Sequence, residues 1–208
     1  MTDMTNDDSV PCGGTKAEAR RAQILAAAEK CFREHGFHNA SISRICKQAG
    51  MSPGHVYHYF ENTEAIIAGI VRRKVNDILD RVEALRVAPN VLEATLRGAG
   101  EGIVDKLDPD FAALEMEMLA EACRNPSVAQ IVRAADREVL DNFTEVVRQL
   151  RRDLGHEDSD QAIQVLGDMV AILYDGATVR GIRHPELQRE KLQGIFSAVM
   201  RFLIVDWR

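Results

Sequence analysis

The sequence predicts an all-α fold of about nine helices, with a three-helix helix-turn-helix unit at the N-terminus and a larger helical domain behind it. Three observations carry this prediction. Apolar residues recur at three- and four-residue spacing along most of the 208 residues, and no stretch alternates as a strand would. Hydrophobic residues make up 46% of the chain, enough to close a core, while aromatics are only 5%; Ala, Leu, Ile, Val, Glu and Arg dominate, a balance that favours helices. Gly, Pro, Asn and Ser stand between the periodic segments as starts and stops.

Residues 1–15 are polar, hold Pro11, Gly13 and Gly14, and read as a flexible tail. From residue 16 a first helix carries Ile24, Ala27, Ala28, Cys31 and Phe32 on one face and stops at Gly36. Ser41 suits the N-cap of a short second helix with Ile42, Ile45, Cys46 and Ala49 inside, ended by Gly50. Ser52 caps a third, with Pro53 at its first position, running to Tyr59. A long fourth helix spans about 63–86 with a stripe of Ile67, Ile70, Val71, Val75, Ile78, Leu79, Val82 and Leu85. Further helices are expected at 91–107, 110–124, 127–154, 160–179 and 186–205, separated by Asp108-Pro109, Asn125-Pro126, Gly155-His156 and His184-Pro185. The division follows: tail 1–15, helix-turn-helix domain 16–62, second domain 63–208.

The formal charge of −6 hides an asymmetry. Residues 16–75 hold 10 Lys/Arg against 5 Asp/Glu, whereas residues 76–208 hold 16 against 24. A basic N-terminal block on an acidic body is the footprint of a small nucleic-acid reader attached to a domain with another task. Cys12, Cys31, Cys46 and Cys123 form no C-x-x-C pair, so neither a disulfide framework nor a cysteine-rich metal module is expected. Buried, inert thiols are the expected state of Cys46 and Cys123, with oxidant sensing the alternative. The polar, acidic N-terminus does not read as a signal peptide and no apolar run reads as long enough to span a bilayer, so a cytoplasmic protein is expected.

Several constellations that could carry other chemistry are incomplete. His35/His38 and His55/His58 have H-x-x-H spacing with no Cys, Asp or Glu to complete a metal site. Gly98-Ala99-Gly100-Glu101-Gly102 follows no strand and reads as small residues easing helix packing rather than a phosphate loop. Glu115, Glu117 and Glu121 cluster without correctly spaced histidines. No nucleophile elbow and no Glu-x-x-His pair is present, which disfavours the alternative of an all-helical enzyme. No metal or cofactor is expected. A protein-only adaptor is the other alternative.

The most informative segment is Ser41 to Phe60, SISRICKQAGMSPGHVYHYF. Two short helices meet at a tight Gly-containing turn, Ala49 is small enough for close approach, and the inward positions Ile42, Ile45, Cys46, Ala49, Met51, Val56 and Tyr59 are apolar. With Phe32-x-x-x-Gly36-Phe37 before it and Asn62-x-Glu64 after it, the pattern over residues 17–70 resembles the signature of the TetR family. Glu115–Arg124 with Asn125-Pro126 resembles the effector domains of its BetI-like branch.

The resemblance implies a DNA-binding regulator, a repressor by family habit, with a palindromic operator, a small-molecule effector and a homodimer as partners. It places DNA contacts at Ser41, Arg44, Lys47, Ser52, Pro53, Gly54, His55, Tyr57 and His58, and the chemistry of those residues agrees. The N-terminus of the third helix offers backbone N–H groups to phosphate and side chains to base edges. Tyr59 and Phe60 read as packing residues. Two features depart from the family pattern. Thr63 stands where a Lys is usual, and the recognition helix lacks the Arg, Lys, Asn or Gln that make bidentate base contacts, so specificity is expected from His55, backbone packing and DNA shape. The resemblance also implies an effector pocket, for which Phe111, Met118, Leu119, Phe143, Met169 and Tyr174 are the candidates, and a small, largely apolar ligand. Dimerisation is expected through the last two helices, on stripes of Ile163, Leu166, Met169, Val170, Leu173 and Ala177 and of Leu192, Ile195, Phe196, Val199, Met200 and Leu203. The long fourth helix is the expected link between reader and sensor.

Overall fold

The computed structural model describes residues 16–207, so the expected tail 1–15 lies outside the described residues. Nine α-helices follow one another among them: α1 Lys16–Asn39, α2 Ile42–Ala49, α3 Pro53–Tyr59, α4 Thr63–Arg86, α5 Val91–Lys106, α6 Pro109–Ala122, α7 Pro126–Asp153, α8 Asp160–Arg183 and α9 Arg189–Arg201, closed by a π-turn at Phe202–Asp206. The helix starts have a common chemistry. The side chains of Ser41, Ser52, Asn62, Asn90, Asp108, Asn125 and Ser159 each accept a hydrogen bond from a backbone N–H of the first turn. Each satisfies one of the donors a helix N-terminus leaves free, an effect of about 1 kcal/mol per cap. Gly36 (φ 72°) breaks α1 before Phe37, and Gly50 (φ 64°) ends α2 in the left-handed region.

Two expected boundaries move. α8 runs to Arg183 rather than 179, because neither Gly176 nor Gly181 stops a helix whose backbone bonds are intact; the stop is His184, which precedes Pro185 and must leave the helical region (φ −148°, ψ 77°). α9 begins at Arg189 instead of 186, with no side-chain cap on its first turn. The expectation of no membrane-length run is also corrected: α8 has 24 residues and a mean hydropathy of 1.3 over its most apolar window, which meets the length and composition of a span. The cause is that α8 is apolar on two faces. Ile163, Leu166 and Val170 enter the core, while Val165, Met169 and Ile172 are exposed.

Two apolar cores organise the molecule. The first joins Ile24, Ala28 and Phe32 of α1, Ile45 of α2 and Val56 of α3 to Ile66, Ile67 and Ile70 of α4, and reaches Leu114 and Met118 of α6. The second joins Val82 of α4, Ile103 of α5, Val147 and Leu150 of α7, Leu166 and Val170 of α8, and Phe196, Met200 and Ile204 at the C-terminal end. α4 contributes its first half to one core and its second half to the other. α5 crosses α9 closely because Gly100 has no side chain: a Cβ there would stand 2.6 Å from Ser197 Oγ. Gly102 likewise faces Tyr174 Oη at 3.1 Å from the same imagined atom, so the glycine run is a packing device, as the sequence indicates.

Candidate nucleic-acid interface

The reader is built from α1 to α3. Ile45, Cys46 and Ala49 of α2 and Val56 of α3 are buried, which turns the remaining positions of both helices outward. Ser41, Arg44 and Lys47 recur every three residues and are all exposed. Ser52, Pro53, Gly54, His55, Tyr57 and His58 are exposed as well. All nine residues named from the sequence therefore lie on the surface of the helix pair.

The caps position this surface. Ser41 Oγ accepts from Arg44 N and Ser52 Oγ accepts from His55 N, both at 3.3 Å. Each hydroxyl keeps its own proton, free to be donated to a phosphate oxygen. Tyr57, at 52% exposure, is a large ring with no apolar cover, whereas Phe60 is buried and Tyr59 half-buried. Tyr59 contacts both histidine rings, tilted against His55 with centroids 5.6 Å apart and edge-on to His58 at 5.0 Å, which braces them. Arg21 lies over the Phe60 ring at 4.7 Å and donates to Tyr59 O at 3.2 Å, and Gln23 donates to Ala49 O at 2.9 Å. α1 thus clamps the C-terminal ends of both reader helices, a role that the basic character of residues 16–21 alone does not reveal.

Among the described residues no group of His, Cys, Asp and Glu is arranged to hold a metal ion. Cys31 and Cys46 are buried, and burial pushes both thiols up from their ordinary range, so they are poor nucleophiles; Cys123 is exposed. The three carboxylates Glu115, Glu117 and Glu121 diverge: Glu115 turns to Lys74, Glu117 accepts from Phe37 N, and Glu121 pairs with Arg124.

The six candidate pocket residues fall into different surroundings, although Phe143 and Tyr174 both flank the second core. Phe111 lies half-buried beneath Lys74 and Lys106, and Tyr174, from α8, donates its hydroxyl to Ala99 O at 3.1 Å. Burial, then the nearby Asp105, pushes that hydroxyl above the ordinary tyrosine range. Met118 is buried in the first core and Phe143 flanks the second. Leu119 and Met169 are exposed at the surface of the chain. Helical spacing finds an apolar stripe but cannot tell which of two cores, or which outer surface, the stripe meets.

Comparison with known proteins decides the family. A model described as "Bacterial regulatory proteins, tetR family" matches residues 24–70, and one described as "BetI-type transcriptional repressor, C-terminal" matches residues 92–203. The chain belongs to the TetR family of transcriptional regulators. This TetR-family protein is 34% identical over 143 residues to the HTH-type transcriptional regulator UidR of Escherichia coli K12, a match spanning 67% of this chain and 68% of that one. Among solved structures it is similar to Salmonella enterica GusR (TM-score 0.73, 23% identity, 91% of this chain and 97% of that one). It is also similar to the SmeT–triclosan complex (TM-score 0.70, 26% identity, 88% and 90%). The TetR-family match covers α2 and α3, and the BetI-type match covers α5 to α9.

Proposed function

We propose that this TetR-family regulator is a homodimeric, cytoplasmic repressor that reads a palindromic operator and leaves it when a small ligand binds the second domain. Residues 16–62 serve as the reader and residues 63–208 as the effector-binding and dimerisation domain. The observation that carries the reading is the exposed, doubly capped helix pair bearing Ser41, Arg44, Lys47, Ser52, Pro53, Gly54, His55, Tyr57 and His58. Arg44, Lys47, Tyr57 and the N-terminus of α3 contact phosphates and fix the register; His55 and the backbone at Gly54 approach the bases.

Two readers need two chains. α8 exposes Val165, Met169 and Ile172 at i, i+4, i+7, and α9 exposes Ile195 and Val199, continued by Phe202. A second copy covering both stripes is the proposed dimer. Five of the twelve residues expected there, Ile163, Leu166, Val170, Phe196 and Met200, are instead buried within the chain. Val165, Ile172 and Phe202 take their place.

Ligand binding is supported by the similar SmeT, whose structure holds triclosan. Coupling to the reader runs through α6 as well as α4. Glu117 of α6 accepts a hydrogen bond from Phe37 N at 3.2 Å, beside the kink at Gly36, and Asp110 faces Arg33 at 3.7 Å. A shift of α6 therefore pulls on the end of α1 and reorients the reader.

The test is binding of the purified protein to the DNA upstream of its own gene, at several salt concentrations, against an unrelated duplex of equal length. Preferential binding that falls steeply with salt is expected. Tyr57→Ala and Arg44→Ala should each weaken it about tenfold or more without changing the helical content. Absence of binding to any DNA at low salt, with ligand-free protein, would refute the reading.

A further inference from the structure

The second domain holds a cluster of charges that its packing does not explain. Lys74 of α4 points inward, and its Nζ is buried without a hydrogen-bond acceptor. Its nearest carboxylate, Glu115 Oε2 of α6, is 3.6 Å away, an ion pair too long for a hydrogen bond. The ammonium lies 4.4 Å from the centroid of the Phe111 ring, and a second ammonium, that of Lys106 on α5, lies 4.8 Å from the same centroid. Two cations around one aromatic ring repel each other. Burial, in the first place, lowers the Lys74 pKa; Glu115 and Glu29 oppose that shift and Lys106 adds to it. Asp175 of α8 stands close enough to feel both Lys106 and Glu115, and partial desolvation raises its carboxyl.

A buried ammonium with three donors and no acceptor is costly, and the cost is removed by an acceptor of negative charge. We propose that Lys74, with Lys106 beside it, is the binding site for the carboxylate of a monoanionic effector whose apolar body lies against Phe111, and that this carboxylate takes Lys74 from Glu115. The inference rests on the reading of the second domain as the effector domain. A single negative charge is specified because Glu115 and Asp175 would repel a dianion such as phosphate. Exchange of one carboxylate for another also supplies the differential contact that a switch needs. Glu115 and Glu117 are two residues apart on α6, so releasing Glu115 frees the helix that holds Phe37 N.

The experiment uses the full chain and matched probes of one shape: phenylacetate with phenylacetamide, hexanoate with hexanamide, and benzyltrimethylammonium as a cation of similar size. Direct binding is read by calorimetry, and DNA release by anisotropy of the upstream duplex. At least one carboxylate should bind where its amide and the cation do not. Lys74→Met should weaken that carboxylate about tenfold or more, and Lys106→Met, whose ammonium lies slightly farther from the Phe111 ring, should weaken it by a smaller factor. Glu115→Gln should strengthen it, because the competing charge is gone; a Lys74–Glu115 pair that only holds helices together has no reason to move in this direction. Equal binding of acids and amides, binding of the cation alone, no acid binding at millimolar concentration, or an unchanged affinity in both lysine variants would each overturn the assignment. Release of DNA by an amide would overturn it while leaving the ligand-switched regulator intact. A carboxylate that binds through Lys74 without changing DNA affinity would support the site and refute the switch.

Discussion

Arg151 is almost completely buried, at 1% exposure, and every donor of its guanidinium is used. Nε and Nη2 grip Asp158 at 2.5 and 2.8 Å, and Nη1 and Nη2 donate to the carbonyls of Leu203, Ile204 and Trp207. Leu203 and Ile204 lie in the π-turn and Trp207 caps it, at a helix end, where carbonyls are left without an intrahelical partner. His156 completes the arrangement: Nε2 faces Val205 O at 3.1 Å and must donate to it, which leaves Nδ1 to accept from Arg151. The hydrogen bonds from Arg151 hold the Asp158 carboxyl below the usual carboxylate range. A group whose folded pKa is depressed contributes stability above its unfolded pKa and loses it as pH falls through the folded value. Asp158→Asn should therefore cost about 3 kcal/mol near neutral pH. The difference between the two proteins should shrink steadily below about pH 4, as measured by urea unfolding across that range. A constant difference down to pH 3 would mean that the side chain acts by shape alone.

At the scale of elements, α6 is the part with two tasks. Its inner face carries Phe111 and Glu115 toward Lys74, and its reader-facing side gives Glu117 to the backbone of Phe37. α4 was the link visible in the sequence because it is long and continuous. α6 was not, because its role depends on one hydrogen bond to a residue 80 positions away. The nearest sequence signal is the Gly36-Phe37 pair, whose broken helix leaves a free N–H at Phe37. Glu117→Ala should leave folding nearly unchanged and weaken the communication between domains. An effector that releases DNA from the parent protein should release it from the variant with a several-fold smaller shift in operator affinity, because about 1 kcal/mol of coupling is lost. Equal shifts in the two proteins would assign the coupling to α4 alone.

At the scale of the whole molecule, the chain leaves an apolar surface that a soluble monomer rarely carries. Ile172 is 61% exposed and Ile195 63%, and the glycines Gly176 and Gly194 face open space where a partner backbone could come close. Ile172→Asp combined with Ile195→Asp should convert the protein to a monomer by light scattering, with the helical content retained and operator binding reduced far more than by either reader variant. A monomeric parent protein, or an unaffected dimer, would place the interface elsewhere. The same double face explains how α8 reaches the hydropathy of a membrane span: it is covered on one side by its own chain and carries exposed apolar residues on the other.

The sequence by itself determined whatever depends on neighbours along the chain. Helix type, the caps at Ser41, Ser52 and Asn62, the breaks at Gly36 and Gly50, and the outward set of reader residues all follow from spacing and from local backbone chemistry, which acts over four or five residues. The glycine run around Gly100 was legible as small residues suited to helix packing, but that it meets Ser197 of α9 was not. Only the tertiary structure decided which apolar stripe meets which. Met118 enters the first core and Met169 the surface, although both are methionines on helices of similar pattern. Lys74, Lys106 and Glu115 come together from three helices, and Arg151 meets carbonyls more than fifty residues away. Burial and the pairing of charges depend on through-space distance, and a one-dimensional pattern records only which residues are available to meet.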